Sequence, residues 1–156
     1  MRTRKELLFQ STLRFYEQDP EALRAVERVL LRRETLLSLR MIESFLHTYL
    51  KKRPDEELPT ANGPLRASEV GRLYKAHLRA YTKREFDLFC REGRREITIQ
   101  GVKVNTNEPQ LNLFYFLQKH GLMQVITDKL PAIRQVRQQA RSQREEQPPP
   151  VGAPDQ

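Results

Sequence analysis

A chain of 156 residues, 38% of them apolar and none of them Trp, is sized for one domain with a single core of Leu, Ile, Val, Phe and Tyr. A formal net charge of +8, set by 28 Lys and Arg against 20 Asp and Glu, is spread through the chain with most bases interleaved with acids as on ordinary solvated helix faces, and it is the preference for Arg, whose guanidinium fork suits phosphate, that keeps a nucleic-acid partner in play. The lone Cys90 excludes an internal disulfide, one Cys with three scattered His (His47, His77, His120) argues against a metal site, and no apolar run approaches the ~18 residues of a membrane span.

The elements follow in chain order. Thr3 or Arg4 to about Glu17 is amphipathic through Leu7, Leu8, Leu13 and Phe15 or Tyr16. Asp19 can cap and Pro20 can occupy the first turn of a second helix running to about residue 32, with Leu23, Val26 and Leu30 turned inward. A third helix starts at Thr35 or Ser38, carries Leu39, Ile42, Phe45 or Leu46 and Tyr49, and closes at Pro54 after the basic Lys51, Lys52 and Arg53. Residues 54–67 hold three prolines and an Asn-Gly, and read as a loop.

Ser68 then caps a helix with Val70, Leu73, Tyr74, His77 or Leu78 and Tyr81 on its apolar face. Thr82 and Glu85 form a Thr-x-x-Glu capping box, which predicts a short helix bearing Phe86, Phe89 and Cys90. "EITIQGVKVNT" alternates on both sides of Gln100-Gly101 and predicts a β-hairpin at roughly 95–105, with Ile97, Ile99, Val102 and Val104 on one face. Thr106 or Asn107 caps the next helix, whose stripe is Leu111, Phe114, Tyr115 and Leu117 or Gln118, ended by Gly121. A further helix carries Leu122, Val125, Ile126 and Leu130, and Pro131 either kinks or restarts it. From Gln138 nothing is left to bury, so the tail is expected to be disordered. The expectation is an α+β, mostly helical fold of about six helices, a single hairpin and one domain over 1–137, comprising N-terminal helices (1–53), the Pro-rich loop (54–67) and a core (68–137), with 138–156 as tail.

Catalytic machinery is not legible. Cys90 reads as a small buried hydrophobe, and His77 and His120 lie on an apolar face and at a helix end, where neither is positioned as its base. No phosphate-cradling glycine motif occurs, and no cofactor is implied. The bases around the hairpin make a sharper claim. Lys83, Arg84, Arg91, Arg94, Arg95 and Lys103 are candidates for phosphate contact, and Thr106 and Asn107 would present a helix N-terminus to an anion. Phe86, Phe89, Phe114 and Tyr115 stand at core spacing, which assigns them to the interior rather than to stacking on bases.

"SLRMIESFLHTYLKK", "YKAHLRAYTKREFDLFCR" and "VNTNEPQLNLFYFLQKHGLMQVI" occur in this order, over roughly residues 35 to 128. Through Lys83, Phe86, Asp87, Phe89, Cys90 and Arg91, then Thr106, Gln110, Leu111 and Asn112, the chain resembles a family of small uncharacterised proteins of large nucleocytoplasmic DNA viruses. It departs from that pattern at Leu88, where Pro is usual, and in "LFYF", where a second aromatic followed by Trp is usual. The resemblance implies a viral source and a job as virion component, genome-associated protein or late accessory factor, located in the virion or in host cytoplasm or nucleus. The sequence therefore predicts a non-enzymatic protein that binds nucleic acid through an Arg-rich surface. The alternative is a minor virion structural or adaptor protein working through protein contacts. The basic start "MRTRKELLFQ" has no apolar stretch of the signal-peptide kind, so secretion is not expected.

Overall fold

Helix starts are written locally. In the computed structural model, which describes residues 3–81 and 83–146, the Thr3 hydroxyl accepts the Glu6 N–H at the head of α1 (Arg4–Gln18). Asp19 accepts the Ala22 N–H at 3.2 Å at the head of α2 (Pro20–Leu31), with Pro20 in the first turn. Ser38 accepts the Met41 N–H at the head of α3. That helix runs over 39–52, with a π turn at Phe45–Tyr49 between two α segments (Leu39–Ser44 and Leu50–Lys52).

Residues 54–67 contain a second hairpin where a loop was expected. β1 (Glu57–Thr60) pairs antiparallel with β2 (Gly63–Arg66) in register Thr60 to Gly63 and Pro59 to Pro64. Counting outward from the two-residue turn, the facing prolines fall at a pair that exchanges no hydrogen bonds, so their missing N–H groups cost the ladder nothing. α4 (Ala67–Tyr81) follows directly. Its first N–H groups reach back to the carbonyls of Glu56 and Pro54, and Glu69 accepts the Arg66 N–H, so Ser68 is not needed as a cap.

The expected hairpin is present as β3 (Arg95–Ile99) and β4 (Val102–Thr106), joined through Gln100 and Gly101, both at positive φ. Ile97, Ile99, Val102 and Val104 are all buried, and the hairpin packs on α1 and α2. α5 (Glu108–Lys119) is the central helix. Leu111, Leu113, Phe114, Phe116 and Leu117 are buried around most of its circumference, together with Gln110 and Asn112. Pro131 restarts the chain: α6 (Leu122–Asp128) ends before it and α7 (Leu130–Glu146) has it in the first turn.

The class is α+β and mostly helical, with seven helices among the described residues when the π-interrupted α3 is taken as one. Residues 138–146, expected to lack structure, continue α7. Val136 is the last buried side chain among those described, so Gln-, Arg- and Ala-rich helix propensity supports the turns that follow. The rest of the anticipated tail, 147–156, lies outside the described residues.

A candidate nucleic-acid interface

The segment between α4 and β3 was expected to be a short helix, with Thr82, its anticipated cap, outside the described residues. It contains one 3₁₀ turn (Lys83–Glu85) and then a connector without helix up to Arg94. Its backbone polar groups are satisfied by side chains of α5 instead. Asn112 Nδ2 donates to the Glu85 carbonyl at 2.9 Å and Gln110 Nε2 to the Leu88 carbonyl at 2.8 Å. Asn107 Nδ2 donates to the carbonyls of Cys90 and Glu92 at 2.8 and 3.0 Å, while the Asp87 N–H donates to Pro109 O. The network continues inward: the Thr106 hydroxyl donates to Gln110 Oε1 at 2.7 Å, and the Thr12 hydroxyl to Asn112 Oδ1 at 2.7 Å.

This arrangement corrects two of the sequence candidates. Thr106 and Asn107 are buried, at 0% and 1% exposure, and their side chains are spent on Gln110, on the α5 cap and on the connector. They offer no ligand-facing group at the α5 N-terminus. Arg94 is also occupied, with Nη2 donating to Asn105 O at 2.8 Å, so it braces the connector against β4.

Of the remaining candidates, Arg84, Arg91, Arg95 and Lys103 are exposed but dispersed. Arg84 and Arg95 join Lys5 on the wall of an open cleft of about 910 Å³, which also holds Asp87, Cys90, Glu92 and Glu108. Lys5 is paired with Glu108 at 3.5 Å, so the cleft mixes both signs of charge. Arg91 is exposed in the connector, and Lys103 stands opposite Thr98 on the hairpin. Lys83 belongs to the 3₁₀ turn. The Cys90 thiol, in the cleft, meets the Glu92 carbonyl at 3.8 Å, whereas His77 lies 4.6 Å (ring centroids) from Phe116 and 5.7 Å from His120 within an aromatic cluster.

The most coherent basic surface was missed by the sequence reading. Arg72, Lys75 and Arg79 are exposed on α4 at helical spacing, with only exposed Ala76 between them on that face. They span about 10 Å along the axis, and none is in an ion pair among the described residues. The signal was available, since three bases at i, i+3 and i+7 without an acid among them mark one face once the helix is assigned.

α4 also contributes to a largely apolar groove of about 480 Å³, whose lining does not include the three bases of the stripe. Tyr74 and Leu78 of α4, one residue behind Lys75 and Arg79, form one wall, and Leu46 and His47 of the α3 π turn another, with Leu113 of α5 also lining it. Phe86 and Phe89 come from the connector. Phe86 is buried, whereas Phe89 is 45% exposed, against the expectation that it would be core. Tyr74 OH lies 3.3 Å from His47 Nε2, and burial, together with the charges of Asp87 and Glu43 at the groove, pushes its phenol pKa up.

Residues 2–147 match the model of a family of unknown function, DUF7197, and the chain belongs to that family. No curated protein and no solved structure matches it.

Proposed function

We propose, since this family brings no activity with it, that the protein is a non-enzymatic nucleic-acid-binding protein that holds the phosphate backbone on its Arg-rich surface. The observation that supports this reading is the acid-free stripe of Arg72, Lys75 and Arg79, exposed and unpaired among the described residues of a chain with net charge +8. Exposed Arg84, Arg91, Arg95 and Lys103 add to the net positive charge from other parts of the surface, while Lys83 continues the α4 sequence spacing. Binding of this kind is dominated by counterion release and is steeply salt-dependent, with a logarithmic slope near −0.9 per phosphate neutralised on duplex DNA. The resemblance to proteins of large DNA viruses fits a role on a viral genome.

The test is fluorescence anisotropy with labelled DNA and RNA at about 50 and about 200 mM salt, for the native chain and for the Arg72→Ala/Lys75→Ala/Arg79→Ala variant. Binding that weakens with salt, and a shallower slope in the variant, support the reading. Absence of binding at the lower salt sinks it.

A second reading, a virion structural or adaptor protein, draws on a different surface. Leu31 and Leu36 are 52% and 75% exposed at the α2–α3 corner, and apolar side chains there suit a protein contact. Loss of a virion or protein partner on Leu31→Ser/Leu36→Ser, with nucleic-acid binding unchanged, would favour that reading.

A further inference from the structure

We infer that the protein binds single-stranded nucleic acid, with an unpaired base seated in the groove beside α4 and stacked on Phe89 while the adjacent phosphates lie on Lys75 and Arg79. The inference rests on the nucleic-acid reading above and specifies its ligand.

Three observations converge on it. The first is adjacency. On a helix turning about 100° per residue, Lys75 lies three residues from Leu78 and so about 60° round from the groove wall, with Arg79 one turn further along the same face, so the cationic stripe begins where the groove wall ends. Sequence-tolerant single-strand surfaces combine these two parts, an aromatic platform and a positive track alongside it. The second is that one ring is left open. Tyr74 and Phe86 are 8% and 2% exposed and contribute groove floor, whereas Phe89 at 45% presents ring surface to an incoming planar group. Its backbone is held there, since its N–H donates to Asp87 Oδ1 at 3.0 Å and Gln110 fixes the carbonyl of Leu88 before it. The third is the pair of carboxylates in the otherwise largely apolar groove. Glu43 from α3 and Asp87 from the connector are carboxylates among apolar side chains. They would repel a phosphate from the groove but can accept from the amino and imino groups on a base edge. A duplex buries its base faces in the stack and cannot supply this occupant without unpairing.

The volume of about 480 Å³ falls in the range of small-ligand pockets. A basic peptide would also meet the two carboxylates, but the three cations of the adjoining stripe would oppose it, and this charge balance favours the nucleic acid.

The experiment compares three labelled probes of equal length at low salt: a mixed-sequence single strand, the same backbone made abasic, and the duplex. Native protein, Phe89→Ala, Phe89→Tyr and Lys75→Ala/Arg79→Ala are each titrated. The expected result is about tenfold or tighter binding of the single strand than of the abasic strand or duplex, a margin lost in Phe89→Ala and kept in Phe89→Tyr, in line with stacking measured by alanine substitution. The double stripe variant should weaken all three probes alike. Equal binding of single, abasic and duplex probes, unaffected at Phe89 but weakened by the stripe variant, would overturn the inference and leave the electrostatic reading standing. No binding of any probe would remove both. Concentration-dependent self-association abolished by Phe89→Ala, with nucleic-acid affinity unchanged, would overturn it in favour of a protein occupant.

Discussion

Thr12 and Asn112, a hundred residues apart, share a fully buried 2.7 Å hydrogen bond that ties α1 to the central helix. Asn112 uses its other end on the Glu85 carbonyl, so one side chain joins the N-terminal helix, α5 and the connector. Asn112→Leu removes both bonds at once, leaving the Glu85 carbonyl without its donor and the buried Thr12 hydroxyl with only its 3.5 Å contact to Leu8 O and its bond to Tyr81, at roughly 1–3 kcal/mol for each bond lost. Urea unfolding should show a loss of about 3 kcal/mol. Thr12→Val made in the Asn112→Leu background should cost less than in the native chain, because the bond to Asn112 is already gone.

Gly121, at φ 66°, sits against the turn of the first hairpin so closely that a Cβ would lie 2.7 Å from the Ala61 backbone nitrogen. Asn62 Nδ2 seals the same contact by donating to Lys119 O at 2.8 Å. Gly121→Ala therefore combines left-handed strain with a backbone clash that no side-chain rotation relieves, and about 2–4 kcal/mol of stability should be lost. Gly101→Ala, also at positive φ (81°) but facing open space, should cost only about 1–2 kcal/mol. Parallel melts of the two variants separate contact from conformation.

His77 and His120 set a pH limit. Burial depresses both pKa values, and nearby Lys119 depresses them further, along with His77 in the case of His120; the bond between His77 Nδ1 and Leu73 O only partly offsets this. The folded chain therefore binds protons less readily than the unfolded one. The stability these neutral rings contribute is fully present above their ordinary value of 6.5 and is lost as pH falls below it. The melting temperature should drop on acidification through that region, and His120→Phe should flatten the drop. Glu56 acts in a separate, lower window. Burial alone would raise its carboxyl, but hydrogen bonds from Tyr49 and Lys129 and the charges of Lys129 and Arg53 hold it below 4.5, so its contribution disappears only as pH falls beneath that value.

Arg94 and the α4 bases should behave oppositely. Arg94→Ala withdraws a guanidinium from Asn105 O and should lower stability by about 1–2 kcal/mol. Arg72→Ala, Lys75→Ala and Arg79→Ala change exposed side chains without an ion pair among the described residues and should each stay within about 0.5 kcal/mol of the native chain while weakening nucleic-acid binding. Stability and anisotropy measured on the same preparations would check both halves.

What could be read from the chain was local. Thr3, Asp19, Pro20 and Ser38 mark helix starts because a cap acts within three residues, and the β3–β4 hairpin is visible because its period of two is uninterrupted. The β1–β2 hairpin was hidden by Pro59 and Pro64, residues that argue against a strand unless they face each other where no bond is exchanged. The connector was misread as helix for a non-local reason: its carbonyls are taken by Asn107, Gln110 and Asn112, some twenty residues downstream, and nothing near Glu85 announces this. The same clamp explains why Thr106 and Asn107 resembled an anion site and Arg94 a free base. At the candidate interface the α4 stripe was legible and the exposure of Phe89 was not.

The clamp also separates shape from chemistry at position 89. The main chain beside it is held by an amide belonging to another helix, so exchanging the half-exposed ring for a larger, smaller or polar side chain should leave the path of the connector in place. A synthetic peptide spanning 83–94 would lack that path altogether, whereas the whole chain offers one adjustable side chain on a rigid mount, through which ligand preference can be retuned at little cost to folding.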